Sequence, residues 1–206
     1  MSRGAFIAFE GGDGSGKSTQ AALAAERWDA VLTRQAGGTP LGEQIRALTL
    51  HPDSADLSLR AEALLYMADR AEHVDRLVMP ALEAGRHVVT DRYAYSSLAY
   101  QGYGRGLDIT ELRHISDWAV AGLWPDLVVL IDVPVEVGAR RLAHRANEAD
   151  HYEALGLDLQ HRVRGGYREL ASADPGRWRV VDGVGSIDEV AGRTRFVIEA
   201  FLAGRE

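Results

Sequence analysis

The chain reads as an α/β fold, a parallel sheet covered by helices on both faces. Three observations predict it. Short apolar runs without alternation, at residues 5–9 and 127–131, suit strands buried on both sides. Stretches with helical period and capping residues separate such runs. A glycine-rich segment follows directly on the first run, at the carboxyl end of a strand, where parallel sheets place their ligands.

Taken in order, residues 5–9 form the first strand and residues 17–28 the helix after it. Residues 30–33 are a short second strand. Thr39 offers an N-cap with Pro40 at the first helical position, and that helix runs to about residue 50. Residues 59–84 read as one long helix, kinked by Pro80 and stopped by Gly85. Residues 88–90 make the next strand. Asp108 with Glu111 is a capping-box pattern opening a helix that ends near Gly122. The strand at 127–131 leads to a helix from about Val135. Residues 144–156 lose the apolar period and are expected to be mobile. A helix resumes to Leu170, residues 178–181 are the last strand, and Ser186 with Glu189 caps a terminal helix. Composition does not break along the chain, so residues 1–206 are expected to form one domain.

Composition narrows the chemistry. The chain has no cysteine, which excludes disulfides, thiolate metal sites and cysteine nucleophiles. A net charge of -7 argues against a surface that coats nucleic acid, and leaves room for a local basic cleft. No apolar run is long enough for a membrane span or a signal segment. A cytoplasmic enzyme without nucleic-acid or membrane partners is expected.

The glycine-rich segment is Gly11-Gly12-Asp13-Gly14-Ser15-Gly16-Lys17-Ser18, with Thr19 next. It has the P-loop spacing G-x-x-x-x-G-K-[ST], set between a strand and a helix. Glycines let backbone N–H groups turn inward around phosphate oxygens, and the helix N-terminus adds partial positive charge. Lys17 is expected on the β- and γ-phosphates of ATP, and the Ser18 hydroxyl on Mg²⁺. Lys17 is also the only lysine among 23 basic residues. A compact ammonium on a flexible stem is what this loop requires, and a planar guanidinium replaces it poorly. The fold class sharpens to a P-loop NTPase-type three-layer sandwich.

Further blocks are specific in combination. The first extends the P-loop from Phe9-Glu10 to Thr19-Gln20. Thr33-Arg34 stands before Gly37-Gly38-Thr39-Pro40, and Leu64-Leu65-Tyr66-Met67-Ala68-Asp69-Arg70 lies beyond. Asp91-Arg92-Tyr93 is followed by Ser96-Ser97 and Ala99-Tyr100-Gln101-Gly102. Pro125-Asp126-Leu127 opens a strand ending in Asp132. With these blocks in this order, the sequence resembles bacterial thymidylate kinases along nearly its whole length.

The resemblance implies transfer of the γ-phosphoryl group of ATP to thymidylate (dTMP), giving dTDP and ADP in dTTP biosynthesis. It implies Mg²⁺, a five-stranded parallel core, an acceptor-binding region near residues 34–75, a lid near 140–160 and a homodimer. Arg34 and Arg92 resemble clamps on the acceptor phosphate. Asp91 would orient Arg92 or hold the hydrated Mg²⁺ with Ser18. Asp13 resembles the acid that contacts the acceptor nucleotide and helps place the metal. Tyr66 stands where an aromatic stacks on thymine, and Arg70, one helical turn on, where a side chain bonds a thymine carbonyl. Ser97, Tyr100 and Gln101 would line base and sugar, with Tyr100 crowding a 2′-OH.

Three departures from the family pattern matter. Arg34-Gln35-Ala36 replaces Arg-Glu-Pro, removing a carboxylate. Tyr66 replaces the commoner phenylalanine. Asp150-His151-Tyr152-Glu153 replaces Asp-Arg-x-Glu, so a lid arginine is missing from its usual place. Gly14 also stands where some relatives carry a P-loop arginine. Arg145 is therefore expected as the main lid cation with His151 auxiliary, while Arg140 and Arg141 cap a helix or face solvent. Lys17, Asp91, Arg92 and Arg145 form the expected catalytic set.

Rival chemistries are weighed by what they need. An acceptor hydroxyl benefits from a general base, whereas an acceptor phosphate is already an anion. The loop after the second strand carries Arg34 and Gln35 and no carboxylate, which favours a monophosphate over a nucleoside. A guanine-reading Asn/Thr-Lys-x-Asp loop has no lysine left to use, so a GTPase switch is excluded. A purely regulatory ATP binder has no need of an arginine-rich acceptor side.

Overall fold

The computed structural model describes residues 3–51, 57–144 and 156–205. Five strands make one parallel sheet in the order β2-β3-β1-β4-β5: β1 Phe6–Glu10, β2 Val31–Arg34, β3 Val88–Asp91, β4 Leu127–Asp132 and β5 Trp178–Asp182. The expected strands are all present, each shifted or extended by a residue or two.

Strand parity divides the core. Phe6, Ala8 and Glu10 face one side of the sheet, Ile7 and Phe9 the other. Ile7 and Phe9 pack with Val129 and Ile131 against Ala21, Ala24 and Ala25 of α1 (Lys17–Arg27) and Val190 and Ile198 of α9 (Ile187–Ala203). Small alanines let α1 lie close to the sheet. On the opposite face Phe6 meets Tyr93 edge-on at 4.9 Å, beside Val74, Val78 and Leu82. Burying one such phenylalanine contributes about 2–3 kcal/mol.

The predicted caps hold. The Thr39 side chain accepts from the Gly42 N–H, and Pro40 opens α2 (Pro40–Leu50). Asp108 accepts from the Glu111 N–H at the start of α6 (Ile109–Ala119). Ser186 and Glu189 form a full capping box on α9.

The long helix expected at 59–84 differs in kind. α3 (Leu59–His73) passes into a π-helical stretch, Val74–Val78, and then α4 (Met79–Glu83). Pro80 has no N–H to close an ordinary helical turn, and the wider π turn ahead of it absorbs the mismatch. Gly85, at φ +76°, ends the segment as expected. A second π stretch, Leu98–Gly104, follows the short α5 (Ala94–Ser97). α7 (Val135–Ala143) follows β4, and α8 (Leu157–Ala173) outruns the expected end at Leu170 by three residues. The segment expected to be mobile, apart from Gly156 and His144, lies outside the described residues, as do Arg145 and His151.

The direction in which strands are added reverses at β1: β2 and β3 lie to one side, β4 and β5 to the other. The P-loop therefore emerges at the topological switch point, where the carboxyl ends of the strands open a crevice.

Candidate active site

The P-loop turns tightly before α1. Gly16, at φ +90°, is the N-cap of that helix. Gly14, at φ +72°, packs on Gly138 of α7, and a Cβ on Gly14 would lie 2.3 Å from the Gly138 carbonyl oxygen. The loop is thus seated on a helix backbone with no space for a side chain at position 14. Ser18 and Thr19 are exposed, while Lys17 is buried with its ammonium 3.4 Å from the Gly12 carbonyl. Burial and the charge of Arg92 push the Lys17 ammonium down to about 8, against the pull of Asp91, Asp13 and Glu10.

Arg92 stands at the centre of the site. It follows β3 in a left-handed backbone conformation, φ +67°. Its guanidinium donates to Asp13 Oδ1 at 2.5 Å, Tyr100 OH at 3.0 Å, Gly11 O at 3.1 Å, Tyr167 OH at 3.1 Å and Ser96 Oγ at 3.2 Å. It also lies over the Tyr100 ring, 4.8 Å from the centroid. Burial works against the charge on Asp13, but Arg92 and Lys17 more than offset it and hold its carboxyl below the ordinary range.

Asp91 ends β3, paired in register with Phe9 on β1 and Arg34 on β2. No hydrogen bond joins Asp91 to Arg92 among the described residues, although its negative charge acts on that guanidinium. The carboxylate hydrogen-bonded to Arg92 is Asp13, and Asp91 Oδ1 is buried with no hydrogen-bond partner among the described residues.

The acceptor side forms around α2 and α3. Arg34 reaches Glu43 at 2.5 Å and is about half exposed. Arg70 is buried: its guanidinium donates to Gln35 Oε1 at 2.8 Å, Ser97 Oγ at 2.9 Å and Met67 Sδ at 3.1 Å. Gln35 passes the contact on, donating to Asp69 Oδ2 at 2.5 Å, and Asp69 accepts from the Gly37 N–H. The amide in place of the family's carboxylate therefore bridges a carboxylate and a guanidinium. Gln101 is buried and donates to Glu62 at 2.9 Å.

All of the expected acceptor residues line one cavity of about 310 Å³: Asp13, Arg34, Tyr66, Arg70, Arg92, Ser97, Tyr100 and Gln101. Lys17, Ser18, Thr19 and Asp91 open onto the same cavity from the P-loop side. A second cavity, about 370 Å³ and largely apolar, lies across Asp13 between β4, α7 and α8.

Several residues that sequence reasoning passed over belong here. Arg46 of α2 lines the acceptor cavity, and burial with Arg34 and Arg92 nearby lowers its basicity. Gln160 of α8 donates to Asp13 Oδ2 at 3.0 Å. Tyr167, seven residues on and so on the same helical face, bonds Arg92. That spacing was the available signal for the pair. Glu10, inside a quoted block but given no role, is fully buried beside them. Arg141, expected to cap a helix or face solvent, donates to Ser15 O at 3.1 Å and Gly183 O at 2.9 Å and so ties the P-loop to the end of β5. Arg140 is exposed, as expected.

A P-loop at the switch point of a parallel sheet, facing a cavity lined with arginines, defines a P-loop phosphotransferase. Comparison with known proteins narrows the class. The sequence model of the thymidylate kinase family matches residues 9–193. The thymidylate kinase of Desulfovibrio desulfuricans is 44% identical over 211 residues, covering 97% of each chain. That of Leifsonia xyli subsp. xyli is 49% identical over 198 residues, covering 93% of each. The crystal structure of thymidylate kinase from Ehrlichia chaffeensis superposes with a TM-score of 0.78 at 31% identity, covering 96% of this chain and 99% of that one. The chain belongs to the thymidylate kinase family.

Proposed function

We propose that the chain transfers the γ-phosphoryl group of ATP to dTMP, giving dTDP and ADP. One observation carries this reading. Lys17 of the P-loop and Arg92, Arg34 and Arg46 of the acceptor side open onto a single cavity, with Tyr66 and Arg70 lining it too. Donor phosphates, acceptor phosphate and base each have a matching partner there. Phosphoryl transfer asks the protein chiefly to align two substrates and to neutralise spreading charge. Lys17 meets the β- and γ-phosphates. Arg92 and Arg46 meet the acceptor phosphate, and Arg34 joins them on leaving Glu43. Tyr66 offers an aromatic face to the pyrimidine. Arg70, held by Gln35 and Ser97, keeps donor capacity on Nη1, whose acceptor among the described residues is the weak Met67 sulfur.

The donor set fits Mg²⁺. Among the described residues there is no cluster of three or more metal-binding side chains, as suits an ion held by a few oxygens and the substrate phosphates. Ser18 and Asp91, whose Oδ1 is buried without a hydrogen-bond partner among the described residues, would hold it, and it would neutralise charge on the β- and γ-phosphates. Arg145, in the lid region near 140–160, completes the cationic set in this reading, with His151 auxiliary. The adjoining helices α2, α3 and α6 leave Leu48, Leu64 and Trp118 exposed, which supports pairing with a second copy. No described helix is long and apolar enough to cross a membrane, in keeping with a cytoplasmic enzyme.

The test is ADP formation with ATP, Mg²⁺ and a panel of monophosphates and nucleosides. dTMP should exceed dCMP, AMP and GMP in kcat/KM. Arg70→Ala should depress dTMP turnover while leaving ATP affinity almost unchanged. Equal rates with purine monophosphates would overturn the acceptor reading and leave the kinase reading standing.

A further inference from the structure

Glu10 has no part in the transfer described above, yet it ends the central strand fully buried. Strand parity turns it to the face of Phe6 and Ala8, toward α5 and α8. Its Oε1 accepts from the Tyr93 N–H at 2.8 Å. Its Oε2 accepts from Ser96 Oγ at 2.6 Å and from Tyr167 OH at 2.8 Å. Each hydroxyl has one hydrogen, and directing it at Glu10 leaves lone pairs toward Arg92. Arg92 Nη1 donates to both oxygens, at 3.2 and 3.1 Å.

The same carboxylate also fixes the backbone. Arg92 sits at φ +67°, a conformation disfavoured for any residue with a Cβ. Three bonds hold it there: its N–H to Phe9 O at 2.9 Å, Thr90 Oγ1 to its carbonyl at 2.8 Å, and the following N–H, of Tyr93, to Glu10. Side chain and main chain of Arg92 are thus both tied to one buried carboxyl group.

We propose that Glu10 and Tyr167 are positioning residues that hold the Arg92 guanidinium where it meets the acceptor phosphate. The inference rests on the reading of Arg92 as the phosphate clamp. All three partners of Glu10 donate to it. Glutamine at that position offers one oxygen and one NH₂. If its oxygen keeps the Tyr93 N–H, its NH₂ faces two hydroxyls 2.9 Å apart; one can donate to the other, and the remaining hydrogen turns toward Arg92 and opposes it. Phenylalanine in place of Tyr167 removes one acceptor and leaves the ring packing intact.

A double-mutant cycle on dTMP binding, read by calorimetry, tests this. Tyr167→Phe should weaken dTMP about tenfold when Arg92 is present, the loss of one hydrogen bond to a charged group. In an Arg92→Met background the same change should cost less than about twofold. Glu10→Gln should weaken dTMP at least as much as Tyr167→Phe, and ATP affinity should hold in both. An equal loss from Tyr167→Phe in both backgrounds, or none in either, would overturn the inference. If Arg92→Met itself binds dTMP normally, the clamp reading fails instead. Should Glu10→Gln not fold, Tyr167→Phe decides the matter by itself.

Discussion

Replacing Gly138 with alanine adds one methyl group, and the structure says where it would go. The new Cβ would lie 2.6 Å from the Asp13 carbonyl oxygen, whereas ordinary contact begins at 3.4 Å. The P-loop or α7 must then give by about 0.8 Å, the difference of those two distances. Asp13 resists, because Arg92 at 2.5 Å and Gln160 at 3.0 Å hold its carboxylate. Overpacking of this kind costs about 1–3 kcal/mol. In a chain of this size that lowers Tm by about 2–12 °C. A loop displaced by nearly an ångström also misaligns the donor phosphates, which can cost up to about 10²-fold in rate. Steady-state kcat and both KM values, with a thermal melt, are the assay. We expect kcat to fall by about ten- to a hundredfold. Gly192→Ala is the control, since a Cβ there meets nothing within 4 Å. It should be neutral or stabilise α9 by about 0.5–1 kcal/mol. Wild-type kcat and Tm in Gly138→Ala would refute the claim that backbone contact with α7 seats the loop.

Two titrations give further tests. The Lys17 ammonium is lowered to about 8, chiefly by burial, and bound ATP supplies the negative charge that restores its proton. At pH 8.5, ATP binding should therefore take up protons, seen as a binding enthalpy that changes with the ionisation enthalpy of the buffer; Lys17→Met should lose that dependence, and its absence in the unaltered protein would sink the argument. His73 is lowered to about 4 by burial and then by Arg70, so the unfolded chain binds a proton near 6.5 that the folded chain refuses until about 4. Stability should thus fall as pH drops from 6.5 to 4, by about 3 kcal/mol for the 2.5 units. Urea melts at pH 7 and pH 4.5 should show a smaller loss in His73→Gln, and an equal loss in both proteins would remove His73 as the cause.

What the sequence disclosed follows the reach of its signals. The P-loop, its strand and its helix lie within one continuous stretch, residues 6–27, and share one local geometry, so spacing alone exposes them. Arg70 and Tyr66 lie on one helix a turn apart, again a local relation. The Gln160 and Tyr167 contacts to Asp13 and Arg92 span 147 and 75 residues, and only the folded sheet brings them together. Arg141 was obscured for another reason. An arginine near a helix end reads as a solvated cap, and nothing local marks the carbonyls of Ser15 and Gly183 as its partners. The π turn before Pro80 was hidden because proline marks an interruption without saying which hydrogen-bond pattern absorbs it.

The acceptor cavity also bears on how substrates arrive. Among the described residues five cationic side chains line it, Lys17, Arg34, Arg46, Arg70 and Arg92, against two carboxylates, Asp13 and Asp91. The chain as a whole carries a net charge of -7. A diffusing nucleotide therefore meets a molecule of net negative charge whose cleft carries the opposite sign. Low-dielectric walls focus that field outward. Capture thus gains speed as well as selectivity of approach, because wrong encounters are short. The gain is confined to about one Debye length, roughly 8 Å at physiological salt, so the encounter rate falls with added salt while contacts inside the closed cavity are screened far less.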